Sequence, residues 1–418
     1  MRSIWGWWIL ASTLVLLDWY VFSAVKSITQ NYTERTRLVV HTAYWCITVL
    51  AVATILLFPY VQVLQTNKFF RNYVFAILAG LFFAKLITAT VLVVDDVRRL
   101  GTWAAVKVGN NLRNQPSPWE GVAITRSVFM SWLGVALGSL LFGSLVAGFR
   151  NKYNYQVRRV KIPFPNLPDA FDGFVLAHIS DVHSGSFQNK EAVLKGIQKI
   201  NAAKPDVILF TGDLVNDRAE EMHPYKDVFA QLAAPHGVFS VLGNHDYGDY
   251  VQWKTPEAKT TNLNELKNIQ AAMGWRLLMN EHVALEKDGQ KIALLGIENW
   301  GAKGRFPKYG KLSQAHADTE KFDFKILMSH DPSHWDAEVK PQYTDIDLML
   351  SGHTHGMQFG LQNPYFKWSP VQWMYKQWSG LYVEGKQHLY VNPGFGFIGY
   401  PGRVGILPEI TLIELKKA

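Results

Sequence analysis

The chain has 418 residues, 48% apolar and only 18% charged, with a net charge of +8. That length suggests two or three domains, and so small a charged fraction argues against a purely soluble protein. The single cysteine, Cys46, excludes a disulfide within the chain and any thiolate metal site in its C-terminal part.

The deficit of charge is concentrated in the N-terminal third. Ile4 to Val25 is almost wholly apolar, with Trp5, Trp7, Trp8 and Trp19 near its ends, which fits a membrane-spanning helix. A signal peptide is the alternative, but Asp18 interrupts the run where a signal's core is clean. Further apolar runs cover about Leu38–Val63, Tyr73–Val94 and Ala123–Phe149. Each is long enough to cross ~30 Å of hydrocarbon, so residues 1–150 are expected to form a transmembrane region of four helices. Gly134, Gly138, Gly143 and Gly148 in the last run suit close helix packing. Asp18 and His41 lie within spans, where ionisable groups are functional candidates; an interface position or a hydrogen bond to a neighbouring helix would also explain them. Gly101 to Trp119 offers a weakly periodic interfacial helix.

An even number of spans puts both termini on one side. Lys and Arg divide almost evenly between the two sides, but the cluster Arg150, Lys152, Arg158, Arg159 and Lys161 favours a cytoplasmic C-terminal domain. Much of the positive charge thus reads as topology, and nothing signals nucleic-acid binding.

Residues 151–170 read as a basic linker and edge strand bearing Pro163, Pro165 and Pro168, and 171–418 as a separate domain. There, strand-like runs (Phe174–Ile179, Val207–Phe210, Val238–Leu242, Ile292–Leu295, Lys325–Met328, Ile346–Leu350, Leu389–Val391) alternate with amphipathic segments at Lys190–Asn201 and about Glu220–Leu232. Such alternation argues for an α/β domain.

Polar residues follow five of these strands. Asp181-Val182-His183 follows the first, Gly212-Asp213 the second and Gly243-Asn244-His245-Asp246 the third; His330-Asp331 and Gly352-His353-Thr354-His355 follow two later ones. Strand C-terminal ends are where α/β sheets bind ligands. A pair of divalent cations ~3.5–4 Å apart needs more ligands than one loop can supply, whereas a sheet edge can supply them. The mixed oxygen and nitrogen set suits manganese, iron or zinc rather than calcium or magnesium.

With these motifs in this order and spacing, residues 171–415 resemble the calcineurin-like metallophosphoesterase family, and within it the membrane-linked bacterial phosphohydrolases. The tail Pro401-Gly402-Arg403-x-Gly405-x-x-Pro408-Glu409-Ile410 also looks like that branch. Met357 departs from it, standing where many relatives carry a second glycine, and would narrow the site. The resemblance implies a four-layer α/β/β/α sandwich after the membrane helices, located at a bacterial inner membrane. It implies two divalent cations, one held by Asp181, His183 and His355, the other by Asn244, His330 and His353, with Asp213 bridging. A bridging water or hydroxide would attack the phosphorus. His245 would contact the phosphate and assist the leaving oxygen, while Asp246 would either orient His245 or accept hydrogen bonds behind the ligands.

The expected activity is hydrolysis of a phosphodiester, pyrophosphate or phosphomonoester, with a lipid-linked substrate and the bilayer as partners. The competing reading is a membrane sensor or transporter whose metal domain binds a phosphorylated ligand without turnover. Three further features have structural or functional readings: His178, the pair His334 and Trp335, and Glu298-Asn299-Trp300. The aromatic stretch Tyr365 to Tyr382, with Lys367 and Lys376, is either a cap over the sheet or a membrane-facing lip.

Overall fold

The computed structural model describes residues 4–67, 69–113, 126–304, 306–363 and 365–418. They divide into two units, Met1–Ala147 and Gly148–Ala418.

The first unit holds α1 (Ile4–Thr29), α2 (Glu34–Leu57), α3 (Phe75–Arg113) and α4 (Val128–Gly148). All four are long and apolar enough to cross a membrane. α2 starts at a capping Thr33, whose hydroxyl accepts from the Thr36 N–H at 3.3 Å. It stops short of the expected Val63 because Pro59 offers no N–H and restrains the residue before it. α3 runs well past the expected Val94. Asp95 and Asp96 pair with Arg98 and Arg99 one turn on, so the polar end of the span continues as helix. The anticipated interfacial helix from Gly101 is therefore the end of α3 as far as Arg113, and residues 114–119 lie outside the described residues.

Close packing of helix on helix is real at Gly138 and Gly134 of the last span. A Cβ on Gly138 would sit 2.5 Å from the Ala84 carbonyl oxygen, and one on Gly134 3.2 Å from that of Thr88. A Cβ on Gly143 would meet nothing within 4 Å. Asp18 is fully buried, with Oδ1 2.5 Å from the Lys85 ammonium and 2.8 Å from the Tyr44 hydroxyl that donates to it. His41 Nε2 lies 3.0 Å from the Thr29 hydroxyl. Both intramembrane groups thus bond to neighbouring helices, as one of the two readings held.

The second unit carries β1 (Gln156–Phe164), β2 (Val175–Ile179), α5 (Lys190–Ala202), β3 (Val207–Phe210) and β4 (Val238–Ser240), then α6 (Pro256–Ala272). Next come β5 (Trp275–Leu277), β6 (Glu281–Lys287), β7 (Gln290–Gly296), β8 (Lys325–Met328) and β9 (Leu348–Ser351). A small hairpin of β10 (Leu361–Gln362) and β11 (Lys367–Trp368) precedes β12 (Gly380–Glu384), β13 (Gln387–Val391) and β14 (Glu409–Lys417). Two six-stranded mixed sheets result, in the orders β1-β14-β2-β3-β4-β5 and β12-β13-β9-β8-β7-β6. Between them lies an apolar layer of Leu176, Leu209, Leu294, Ile326, Leu350 and Ile413, among others. A second layer packs Val193, Ile197 and Ile200 of α5, with Leu266 and Ile269 of α6, on the first sheet. A third packs Leu312, Ala315, Trp335 and Val339 on the second sheet. This is the four-layer α/β/β/α sandwich.

Two local differences from the sequence reading have simple causes. The segment Glu220–Leu232 forms two short helical turns, Ala219–Met222 and Lys226–Phe229, because Pro224 stands between them. α6 escaped notice because much of its buried face is polar, including Asn262 and Gln270.

Leu350 is fully buried between the sheets. Leu350→Ala should cost about 3 kcal/mol, seen as a lower thermal midpoint of the detergent-solubilised protein. Val383→Ala, at a position 57% exposed, should leave the midpoint unchanged.

Candidate metal centre

Parallel strands β2, β3 and β4 of one sheet and β8 and β9 of the other end at a common rim. Just past β2 stand Asp181 and His183; past β3, Asp213; past β4, Asn244, His245 and Asp246. His330 follows β8, and His353 and His355 follow β9. The structure brings all of them together.

Two groups form. In the first, ligand atoms of Asp181, His183 and His355 lie within 4.8 Å of one another, with the two Nε2 atoms 3.0 Å apart and Asp181 Oδ1 3.2 Å from His355 Nε2. In the second, Asp213, His330 and His353 meet the same criterion. Asn244 joins this group, its Oδ1 2.9 Å from His353 Nδ1, and Tyr250 fixes the amide by accepting from its Nδ2 at 2.8 Å. Asp213 Oδ2 reaches both groups, 3.5 Å from His183 Nε2 and 3.2 Å from His330 Nε2. Lone-pair atoms held this close repel one another unless a proton or a cation lies among them, so the residues fit divalent metal binding.

The backbone is strained where these side chains turn inward. Asp181, His183, Asp213, His353 and His355 all have positive φ, between 48° and 72°. Non-glycine residues in that region cost of order 1–3 kcal/mol each and cluster at functional sites. The left-handed turn reverses the chain directly after a strand and points the side chain across the rim. Gly352 is required beside them, since a Cβ there would stand 2.1 Å from Asp181 Oδ2.

Neighbouring groups set which nitrogen each imidazole offers. His330 Nδ1 donates to the Thr211 carbonyl at 2.7 Å, leaving Nε2 for the site. His353 Nε2 lies 2.9 Å from the Tyr375 hydroxyl, which in turn donates to Asp331 Oδ2 at 3.4 Å, leaving Nδ1 for the site. His245 Nδ1 donates to the Asn216 carbonyl at 2.6 Å, so its Nε2 is the free ring nitrogen. Asp246 makes no hydrogen bond to His245. Its carboxylate accepts from the backbone N–H groups of Asp213, Leu214, Val215 and Gly243 at 2.8–3.3 Å. The geometry thus fits the second of its two readings, an acceptor behind the ligands, and gives no support to a catalytic role. Burial and the charge of Asp213 push its carboxyl up to about 7, against the pull of those amides.

Charge is unevenly shared. Burial would lower His330, but the adjoining Asp213 carboxylate overrides it and holds the imidazole up at about 10. Burial would raise Asp213, yet His330, His245 and His183 keep it well below the usual carboxylate range. Burial pulls His183 and His353 down. Without a cation, then, His330 holds a proton and pairs with the Asp213 carboxylate.

The remaining candidates are held by bonds and packing of their own. His178 is fully buried and lies 2.9 Å from the Thr211 hydroxyl. His334 bonds Ser329 and Glu338, and Trp335 belongs to the outer core. Glu298 accepts from Tyr247 and Asn280, and Asn299 donates to Pro307, so both brace a loop. Met357 is half exposed. Sequence reasoning missed Tyr375, Asp331, Asn216 and Tyr250, whose roles depend on contacts far apart in the chain. It also gave no role to Arg403, fully buried, which donates to the carbonyls of Pro393, Gly394 and Gly396 and lies 3.3 Å from His355 Nδ1. The Pro-Gly-Arg tail was its only trace.

A sandwich with a rim of carboxylate, amide and imidazole donors defines a metal-dependent phosphohydrolase. Residues 174–357 match the profile of the calcineurin-like phosphoesterases, and residues 1–152 match that of a probable calcineurin-like phosphoesterase transmembrane domain. The uncharacterized metallophosphoesterase YkuE of Bacillus subtilis is 31% identical over 293 residues, covering 67% of this chain and 94% of that one. A zebrafish (Danio rerio) transmembrane protein with metallophosphoesterase domain is 30% identical over 272 residues, covering 62% of this chain and 57% of that one. For a Caenorhabditis elegans putative metallophosphoesterase the figures are 26%, 62% and 52%, so the chain spans little more than half of these animal relatives. The chain belongs to the calcineurin-like metallophosphoesterase family, and it is a membrane protein.

Two outcomes are expected. Because a cation must displace the proton on His330, affinity for a divalent metal should rise with pH below about 10, by about tenfold per unit for one proton displaced. Calorimetry in buffers of different ionisation enthalpy should record that proton's release. Tyr375→Phe, which removes the hydroxyl behind His353, should weaken binding at that position by about tenfold, measured by competition with a chelator.

Proposed function

We propose that the rim holds two divalent cations and hydrolyses a phosphate ester, a diester, pyrophosphate or monoester, on a lipid-linked substrate. Asp181, His183 and His355 would hold one cation; Asn244, His330 and His353 the other; and Asp213 would bridge them. The observation that carries this reading is Asp213 Oδ2, within 3.5 Å of a histidine from each group. The mixed donors suit manganese, iron or zinc. Cations bound there supply Lewis acidity, acidifying water and neutralising charge on the phosphoryl group.

The chain's own groups do the rest. Asn244 contributes a neutral oxygen, so the ligand set carries less negative charge than an all-carboxylate one and admits a phosphate dianion. His245 is not a ligand. Its N–H donates to Asp213 Oδ1 at 2.9 Å, and its ring stands edge-on to His183, with centroids 4.9 Å apart. With Nδ1 tied to Asn216, the free Nε2 is the atom that can bond a phosphoryl oxygen or give a proton to the leaving oxygen. The cluster of Lys and Arg after α4 favours a catalytic domain on the cytoplasmic face of a bacterial inner membrane.

Purified full-length protein with manganese should turn over a chromogenic phosphodiester. His245→Ala should lower kcat by about 100-fold, and Asp213→Ala should abolish turnover together with metal uptake. Full activity in either variant would overturn the assignment, and absence of turnover in the wild type with bound metal would favour a binding-only domain.

A further inference from the structure

The aromatic stretch after the His-Thr-His turn is half core and half surface. Val371, Tyr375 and Trp378 pack with Ile406 in a small buried cluster. Around it, Tyr365 is 98% exposed and Trp373 76%, with Leu361, Phe366, Met374 and Met357 all about half exposed or more. So many large exposed apolar side chains in one short segment, with the Trp368 and Trp373 rings 6.3 Å apart, mark an interaction surface.

This surface is fastened to the metal centre. The Ser369 hydroxyl donates to the Gly356 carbonyl at 2.8 Å, the Thr354 hydroxyl donates to the Trp378 carbonyl at 2.6 Å, and Tyr375 reaches His353. The exposed Trp373 and Met374 immediately precede that tyrosine. The β10–β11 hairpin, with Leu361 opposite Trp368, stands beside the same turn. Whatever covers these side chains therefore covers the edge of the site.

The chemistry of the segment names its occupant. From Met357 to Val383 the sequence contains no Asp or Glu, while Lys367 and Lys376 are present and exposed. Lys303 adds its ammonium over the Tyr375 ring, 5.4 Å from the centroid. Tryptophan, tyrosine and lysine without carboxylates is the composition that rests at the headgroup level of an anionic bilayer. Only residues 149–155 separate the end of α4 from β1, so the chain keeps this domain close to lipid in any arrangement.

We propose that the surface formed by Tyr365, Phe366, Trp373 and Met374 seats in the anionic headgroup layer of the protein's own membrane, placing the metal centre's edge against the lipid surface. The contact is physical and exists whether or not the protein turns over a substrate.

Nitroxide labels test it in the full-length protein, reconstituted in vesicles of phosphatidylethanolamine and phosphatidylglycerol. In a Cys46→Ser background, labels go at Trp373→Cys, at Tyr365→Cys and, as a control, at Lys291→Cys near the start of β7, the end of that strand away from the rim. The first two should collide readily with oxygen and rarely with a water-soluble nickel chelate; the control should show the reverse. Nickel access at 373 and 365 equal to that at 291 would overturn the proposal. So would shielding that grows with the protein-to-lipid ratio, which would assign the surface to a second copy. Because the readout needs no activity, its failure is distinct from failure of the hydrolase reading.

Discussion

One carboxylate holds the rim in register. Asp246 takes hydrogen bonds from three successive amides of the turn after β3 and from one at the turn after β4, and Asp213 returns a bond by accepting from the His245 amide. The two turns are thereby locked to each other from both sides. Three of the groups that matter most, Asp213, Asn244 and His245, ride on this clamp. Their positive-φ partners on the other strands are held by comparable bonds: the His353 amide donates to both oxygens of Asp181, at 3.0 and 2.9 Å. A fixed web of amides around buried carboxylates offsets the backbone strain and the crowding of lone pairs that the site imposes.

That web needs two sheets. No strand of one sheet could reach the groups on the other, yet the ligand set draws β2, β3 and β4 from the first and β8 and β9 from the second. The layer of Leu209, Ile326, Leu350 and their neighbours sets the spacing of the sheets, and so the reach from Asp213 to His330. Packing and chemistry are joined here: the apolar layer positions the rim, and the rim's hydrogen bonds close the end of the sandwich. Arg403 contributes at the same place, tying three carbonyls of the 393–396 segment beside His355.

Much of this was legible in the sequence for a physical reason. Buried parallel strands are short, largely apolar runs, and β3 and β8 fall where those runs lie. Ligands placed directly after such runs announce themselves by position. What stayed hidden depends on contacts that no local pattern encodes. Tyr375 looked like one more aromatic in a rich stretch until the fold laid it on His353. Asp246 stood with two readings open, and three of the four amides that donate to it come from a turn more than thirty residues away. The membrane region misled in a different way. Arg98, Arg99 and Arg126 entered the count of basic residues as topology signals or went uncounted, whereas the structure pairs them with Asp95 and Asp96. Those pairs are invisible to a count of basic residues along the chain.

The position of β14 has a consequence for how the protein is made. This strand runs between β1 and β2, parallel to one and antiparallel to the other, and neither of those two touches the other without it. The ribosome has therefore produced all four membrane helices and every proposed metal ligand before the wedge that closes the first sheet is available. A chain cut short before Glu409 would hold every proposed metal ligand while its first sheet stood split between β1 and β2, baring Leu176 and Ile162, which pack in the same layer as Ile413 of β14. Such a product would offer the open edges of β1 and β2, and the apolar faces beside them, to any neighbouring chain.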